Sequence, residues 1–409
     1  MARWSKYTFN LLMAAFVLVP SSILLPLKLL CIALSAVSWV LWAILADARF
    51  SGRDVLTVLA FPLWLLVSAV FTFYSQLFSA DIILRALISY VSIFILFVVC
   101  LVHLRYDLVS YGDVKRVFCI CLVLYCAIKL FVMFIPLALG MSVKEASLLF
   151  SAGFLIEYRS EEQQFLRVAT SNDLMLPFGL IILIFNRVFQ SRILQAGVIL
   201  LFLITSILTF TRFIWIACIM PFLFFFAMTT MGRKFQIASV GILLFPVFLH
   251  LSSLLGIGDI EVGVLSEIFV RAFDSTSLGV KEIQAARLYE MFSEAPIFGY
   301  GVGSYDKGYI RSGDLPFIYE TQWISFLVQG GVVGVAVTLF YLLYPVMKIL
   351  LKSNGVISKE CLAFLGVYVL FLLSGFTNPN ISALSAAMIY FLAYLYSHEL
   401  QLNREKLLS

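Results

Sequence analysis

Four basic residues stand inside long apolar runs of this chain. Lys28, Arg85, Lys129 and Arg212 each sit among Leu, Ile, Val and Phe. A charge in hydrocarbon costs about 2.5–3.5 kcal/mol on insertion scales, so such a residue faces a partner, a polar cavity or a ligand. Lys28 lies near a turn between two apolar runs and can extend its side chain to the interface. Arg85 follows Asp81 by four residues, so a local ion pair competes with a ligand role. Lys129, in "YCAIKLFVMFIPLALG", has no acid three or four residues away and requires a cavity or a partner on another helix. Arg212, in "ILTFTRFIWIACIMP", is flanked by Thr209 and Thr211, with a snorkelling arginine as the structural alternative. A further arginine, Arg287, lies in the polar, glycine-rich stretch "AARLYEMFSEAPIFGYGVGSYDKGYI", residues 285–310. The chemistry these cations share is anion binding, because a guanidinium offers phosphate two parallel charge-assisted donors. Glu320, at the start of the next apolar run, is the first candidate for a base acting on a hydroxyl. A carboxylate that favours a helix N-terminus is its structural alternative.

A membrane has to position these residues. Hydrophobic residues make up 62% of the 409, charged residues 12%, and the mean hydropathy is +1.04. That composition predicts an all-α integral membrane protein of about twelve crossings. They fall near 8–25, 28–46, 55–75, 82–103, 116–139, 173–187, 193–210, 212–229, 235–255, 320–347, 361–376 and 380–397. Lys and Arg recur in alternate short loops: Arg3 and Lys6, Arg49 and Arg53, Arg105 to Arg116, Arg187 and Arg192, Arg233 and Lys234, Lys348 to Lys359, and Arg404 and Lys406. This bias puts those loops and both termini in the cytoplasm. The expected divisions are N-terminal crossings over 1–139, an outer loop over 140–172, central crossings over 173–255, a large helical outer loop over 256–319 and C-terminal crossings over 320–409. The seven cysteines, Cys31, Cys100, Cys119, Cys121, Cys126, Cys218 and Cys361, lie in or beside apolar runs. They form neither a disulfide framework nor a zinc spacing. A net charge of +5, without basic residues interleaved with aromatics in polar segments, argues against nucleic acid.

Outward-facing cations above an apolar bundle suit an amphiphile with a diphosphate head and a long tail. A cation channel would instead place rings of carboxylate or carbonyl at mid-membrane. The glycines at 299, 301, 303 and 308 allow positive φ and close approach of backbone to a ligand. Tyr300, Tyr305 and Tyr309 offer faces for sugar rings.

The stretch "AARLYEMFSEAPIFGYGVGSYDKGY" resembles the outer-loop pattern of bacterial O-antigen polymerases and ligases, Arg-Leu followed by Pro-x-x-Gly-x-Gly-x-x-aromatic. Arg287, Pro296, Gly299, Gly301, Gly303 and Tyr305 stand at the matching positions. "YETQWISFLVQGGVVGVAV" resembles the segment that follows, with its paired glycines at Gly330, Gly331 and Gly334. "LTFTRFIW" resembles the family's earlier Thr/Ser-Arg segment, with Arg212 at its arginine. The ligases share a His-Asn at the start of the crossing after the large loop. This chain has Glu320-Thr321-Gln322 there, which favours the polymerase (Wzy) family. Arginine-to-glycine spacings of twelve, Arg167 to Gly179 and Arg287 to Gly299, lie near that family's outer-loop motifs.

The resemblance implies a GT-C-like membrane glycosyltransferase in the bacterial inner membrane, with its site facing the periplasm. A growing glycan on undecaprenyl diphosphate passes as a block to a sugar hydroxyl of a new lipid-linked repeat. The implied catalytic residues are Glu320, Arg287 and Arg212. The implied substrate-binding residues are Arg85, Lys129, Arg167, Gly299, Gly301, Gly303, Tyr305 and Arg311. No metal and no cofactor is expected, because arginines neutralise the leaving diphosphate. The implied partners are undecaprenyl-diphosphate-linked glycans, membrane lipid, a chain-length regulator and a flippase. An O-antigen ligase shares the donor and differs in the acceptor. A flippase or exporter is the rival of another class, but usually has short outer loops and related halves, which this chain lacks.

Overall fold

The computed structural model describes residues 2–19, 25–45, 52–75, 77–106, 108–141, 145, 155–157, 167–209, 211–230, 232, 276–310, 313, 315–352 and 357–408. Among them are twelve α-helices: α1 Ala2–Leu18, α2 Leu25–Leu45, α3 Gly52–Ser75, α4 Ala80–Arg105, α5 Tyr111–Ala138, α6 Leu176–Phe185, α7 Arg192–Ile207, α8 Arg212–Ala227, α9 Thr276–Glu294, α10 Gln322–Lys352, α11 Lys359–Leu373 and α12 Ala386–Leu408. Four described stretches are long and apolar enough to cross a membrane, Pro26–Leu45, Tyr111–Phe134, Gln322–Leu351 and Lys359–Phe376. Shorter apolar helices cover Ala60–Ser75, Ser171–Phe185, Arg192–Ile207 and Arg212–Ala227. The chain is a helical membrane protein. The crossing expected at 235–255, most of the loop expected at 140–172 and the first part of the loop expected at 256–319 lie outside the described residues. The described residues are mostly helical, as expected. A short antiparallel ribbon, β1 Leu155–Glu157 with β2 Arg167–Ala169, lies within the first expected outer loop. Its register pairs Leu155 with Ala169, Ile156 with Val168 and Glu157 with Arg167.

The chain divides into two compact units. The first holds Met1–Phe118, Thr276–Ile357 and Tyr368–Ser409. In it α1 packs on α2, α4 packs on α3 and α12, and α10 packs on α9, α3 and α12. Gly330 and Gly334 let α10 close on α3: a Cβ at either would stand 2.6 or 2.2 Å from the Trp64 ring. Small residues at helix contacts are how membrane helices gain packing that the solvent cannot drive. At one end of the unit, Lys6 pairs with Asp113 at 2.6 Å and Lys115 with Glu399 at 3.1 Å. These pairs tie the starts of α1 and α5 to α12.

The second unit holds Cys119–Ser275 and Ser358–Val367. Here α6 packs on α7 and α8. Gly179 of α6 allows that packing, since a Cβ there would meet Leu122 at 2.6 Å and Phe202 at 2.8 Å. A 3-10 turn, Ser171–Met175, leads into α6, whose Pro177 stands in the first turn where proline is tolerated.

Candidate functional site

The glycine-rich stretch is stapled into a broken helix. In α10 the backbone at Gly331 has φ 59° and ψ −165°, which no α-helix contains. The break separates Val328 and Gln329 from the N–H groups of Val332 and Val333, four residues on. The segment after α9 supplies the missing partners. Tyr300 and Gly301 donate to the carbonyls of Val328 and Gln329 at 2.8 and 2.9 Å. Val332 and Val333 donate to the carbonyls of Pro296 and Ile297 at 2.9 and 3.1 Å. Backbone groups in hydrocarbon must be satisfied within the protein, and this exchange satisfies them at the break. The Gln329 amide continues the staple: its Oε1 accepts from the Gly303 N–H at 3.1 Å, and its Nε2 donates to Ser325 Oγ at 3.0 Å. Ser68 Oγ of α3 accepts from the Val302 N–H at 3.0 Å.

This geometry corrects the role expected of the glycines. Gly299, Gly301 and Gly303 are buried, and all have positive φ. What they approach closely is the chain itself. A Cβ at Gly301 would stand 1.8 Å from Thr72 Oγ1, and one at Gly299 would stand 2.5 Å from the Val328 carbonyl oxygen. They therefore set the loop and leave ligand contact to others. Gly308, expected at positive φ, does not have it; it is exposed, and its N–H donates to Asp306 Oδ1 at 2.8 Å. The Tyr305 ring lies against Phe78, with centroids 5.3 Å apart, so part of its face is already used.

The loop so fixed carries a polar cluster with α9. Arg287 is half exposed, and its Nη1 lies 4.0 Å from Asp306 Oδ2. Asp306 is nearly covered, and its N–H donates to the buried Tyr319 hydroxyl at 2.8 Å. The Tyr319 hydroxyl donates onward to the Tyr309 carbonyl at 3.3 Å. Burial raises the Tyr319 phenol, which remains a proton donor at neutral pH. The buried Gln284 of α9 accepts from the N–H groups of Glu320 and Thr321 at 2.8 and 3.1 Å, so α9 caps the start of α10. Glu320 is about three-quarters covered, and its Oε2 lies 3.5 Å from Lys281 Nζ. The Glu294 carboxylate accepts from the Tyr300 hydroxyl. That bond pushes the Tyr300 phenol up to about 12. Arg287, Asp306, Lys281 and Glu320 thus form two cation–carboxylate pairs, each joining α9 to a residue that follows it. Asp306 and Lys281 are the members that sequence reasoning passed over. Asp306 lies one residue after Tyr305 of the motif, and that proximity was the available signal.

The other expected cations fare differently. Arg85 pairs with Asp81 at 2.9 Å, the local alternative, and stays half exposed. Lys28 is buried, with its ammonium 5.3 Å from the centre of the Phe16 ring. Lys129 needs correction as a phosphate ligand. It is wholly buried in the second unit and pairs with Asp173 at 2.6 Å. Its charge is therefore matched inside the protein. Asp173 escaped sequence reasoning because it stands at a loop edge. The spacing Thr170-x-x-Asp173, a capping box, was the signal that marked it. Arg212 opens α8 in the second unit, partly buried, with Thr211 as its N-cap residue. Arg167 is the first residue of β2. Arg311 lies outside the described residues.

Residues 197–339 match the family model described as O-antigen ligase. Over that segment, about a third of the chain, the protein is similar to the O-antigen ligase and polymerase superfamily. The matched segment runs from α7 through α8 and α9 to the middle of α10. It includes Arg212, Arg287, the stapled loop, Glu320 and the break at Gly331. Enzymes of this family are glycosyltransferase-like. No curated protein matches the chain.

Proposed function

We propose that this protein polymerises undecaprenyl-diphosphate-linked repeat units at the periplasmic face of the bacterial inner membrane. The observation that carries the reading is the half-exposed Arg287, set beside Asp306 by a loop locked into a broken membrane helix. Anomeric diphosphate is already an activated leaving group. As the bond from the anomeric carbon to the phosphate oxygen breaks, negative charge grows on the diphosphate, and Arg287 neutralises it. The acceptor is a sugar hydroxyl of the next lipid-linked repeat. Glu320 takes its proton as the new glycosidic bond forms. Lys281 stands beside Glu320 at 3.5 Å and Arg287 beside Asp306 at 4.0 Å. Arg85 and Arg311 are further phosphate or sugar contacts, and no metal is required. Phe61, Tyr90, Phe94, Phe326, Tyr341 and Tyr394 line a small apolar cavity.

Topology enters the proposal as well. Twelve crossings, cytoplasmic termini and two periplasmic loops follow from the charge bias. The ion pairs joining α1, α5 and α12 at one end support a common side for those residues.

One observation favours a second reading: the matching family model is described as a ligase. In that reading the acceptor is lipid A-core. Glu320-Thr321-Gln322, where the resembling ligases have His-Asn, supports the polymerase. Deleting the gene and resolving the surface polysaccharide on a gel separates the readings. Loss of a polymerase leaves core carrying a single repeat. Core with no repeat contradicts the proposal and points to a ligase or a flippase.

A further inference from the structure

The loop held by the broken helix has an apolar tip. Ile297 and Phe298 are 61% and 66% exposed. Val332 and Val333 of α10 are exposed too, and the Ile297 carbonyl accepts from the Val333 N–H at 3.1 Å, so the tip and this turn of α10 share one level. In water such a patch would cost about 25 cal/mol for each Å² of apolar surface. The helix gives its depth. Lys348 is the first charged residue of α10, with its ammonium 5.7 Å from the centre of the Tyr344 ring. Val332 precedes Lys348 by sixteen positions, or about 24 Å at 1.5 Å per residue. The hydrocarbon layer is about 30 Å thick. Val332 and Val333 therefore lie a few ångströms inside its far edge, and a tilt of the helix only deepens them. The carbonyls of Val328 and Gln329, which bond Tyr300 and Gly301, lie one turn higher, at that edge. The chain thus dips below the edge at Pro296–Phe298 and is back at it by Tyr300.

We propose that Ile297 and Phe298 are a membrane anchor: the tip of this loop is inserted among the acyl chains of the bilayer, and phospholipid hydrocarbon covers the patch. The sequence suits that depth, because the eleven residues between Glu294 and Asp306 carry no charge. The backbone suits it as well. The carbonyls of Pro296 and Ile297 and the N–H groups of Tyr300 and Gly301 are all bonded to α10, so the dip needs no water. The segment expected to lie wholly outside the membrane therefore enters it. Asp306 follows Phe298 by eight positions, so the anchor limits how far the Arg287–Asp306 pair stands above the bilayer. The inference uses α10 and the loop alone and stands whether or not the reaction proposed above is correct.

The test uses the full-length protein in nanodiscs of phosphatidylethanolamine and phosphatidylglycerol. A nitroxide is attached at Phe298→Cys. Glu290→Cys, at an exposed position of α9, is the aqueous reference, and wild type carried through the same labelling sets the background of the native cysteines. Collision of the nitroxide with dissolved oxygen, which concentrates in hydrocarbon, is compared with collision with a water-soluble nickel chelate. The expected oxygen-to-nickel ratio at 298 is about fivefold or more above that at 290, with no polyprenyl compound present. A ratio equal to that at 290 puts the tip in water and overturns the anchor. Little collision with either reagent shows that protein covers the tip and overturns it too. A ratio that rises only when undecaprenyl diphosphate is added assigns the patch to the donor's tail and also overturns it. A second comparison needs no label. Hydrogen exchange in a peptide spanning 296–303 should be about tenfold faster in Phe298→Asp than in Phe298→Leu, and equal exchange in the two overturns the anchor.

Discussion

Gly331→Ala is the substitution that the stapled loop tolerates least. The backbone there, φ 59° and ψ −165°, lies in a region open essentially to glycine alone, and an alanine held in it carries about 1–3 kcal/mol of strain. The new Cβ would also stand 2.2 Å from the Ile297 carbonyl oxygen and 2.6 Å from the Phe298 nitrogen. Both are backbone atoms, so no side-chain rotation relieves the clash. The loop must withdraw. Doing so breaks the bonds from Val332 and Val333 to Pro296 and Ile297, each contributing about 1 kcal/mol. Strain and lost bonds together reach about 3–5 kcal/mol, enough to release the segment while the rest of the unit holds. Hydrogen exchange of a peptide spanning 296–303, in the protein in nanodiscs, reads this directly. Exchange should accelerate by two orders of magnitude or more, and transfer activity should fall with it. Gly197→Ala is the control: nothing lies within 4 Å of its Cβ, and it sits in the middle of α7. That change should be neutral or stabilising by about 0.5–1 kcal/mol. If Gly331→Ala exchanges in 296–303 as slowly as the wild type, the stapled-loop account is wrong.

Other perturbations probe the same cluster. Arg287→Lys keeps the charge but loses the paired donors, so turnover should drop about tenfold or more, and Arg287→Ala further still, at normal protein levels in the membrane. Gly301→Ser should loosen the loop from α3, because its Cβ position lies 1.8 Å from Thr72 Oγ1; Thr72→Ala should restore part of the loss, read as transfer activity. Gln284→Leu leaves the N–H groups of Glu320 and Thr321 without their acceptor and should lower the melting temperature by several degrees. The Tyr300 phenol is raised from 10.0 to about 12, so its bond to Glu294 supports the loop fully below pH 10 and is lost as pH rises toward 12. Tyr300→Phe should therefore lower thermal stability at pH 9 and make little difference at pH 12.

The sequence carried the class of the molecule because that class is written in local composition. Apolar runs mark helices wherever they occur, and α10 and α11 lie within a few residues of the predicted 320–347 and 361–376. Arg287, the Pro296 stop and Tyr305 were visible because their types and spacings are unusual in a chain this apolar. What the glycines do was not legible. Whether a glycine admits a ligand or its own chain depends on what lies opposite. For Gly331 that is Ile297, and for Gly301 it is Thr72, more than two hundred residues away. The partner of Lys129 was hidden in a similar way. A helix-face search looks three and four residues along the chain, and Asp173 is 44 residues distant, at the start of another element. The β-ribbon was missed because three-residue strands carry too few side chains to show a period.

The central claim, that outward-facing arginines hold a polyprenyl-linked diphosphate while its glycan is handed on, is tested most directly by reconstitution. Purified wild type and Arg287→Ala are placed in liposomes with a single polyprenyl-diphosphate-linked repeat unit, and the products are resolved by length. The account predicts a ladder of lipid-linked polymer from the wild type and almost none from the variant. A ladder of equal yield from Arg287→Ala would contradict it.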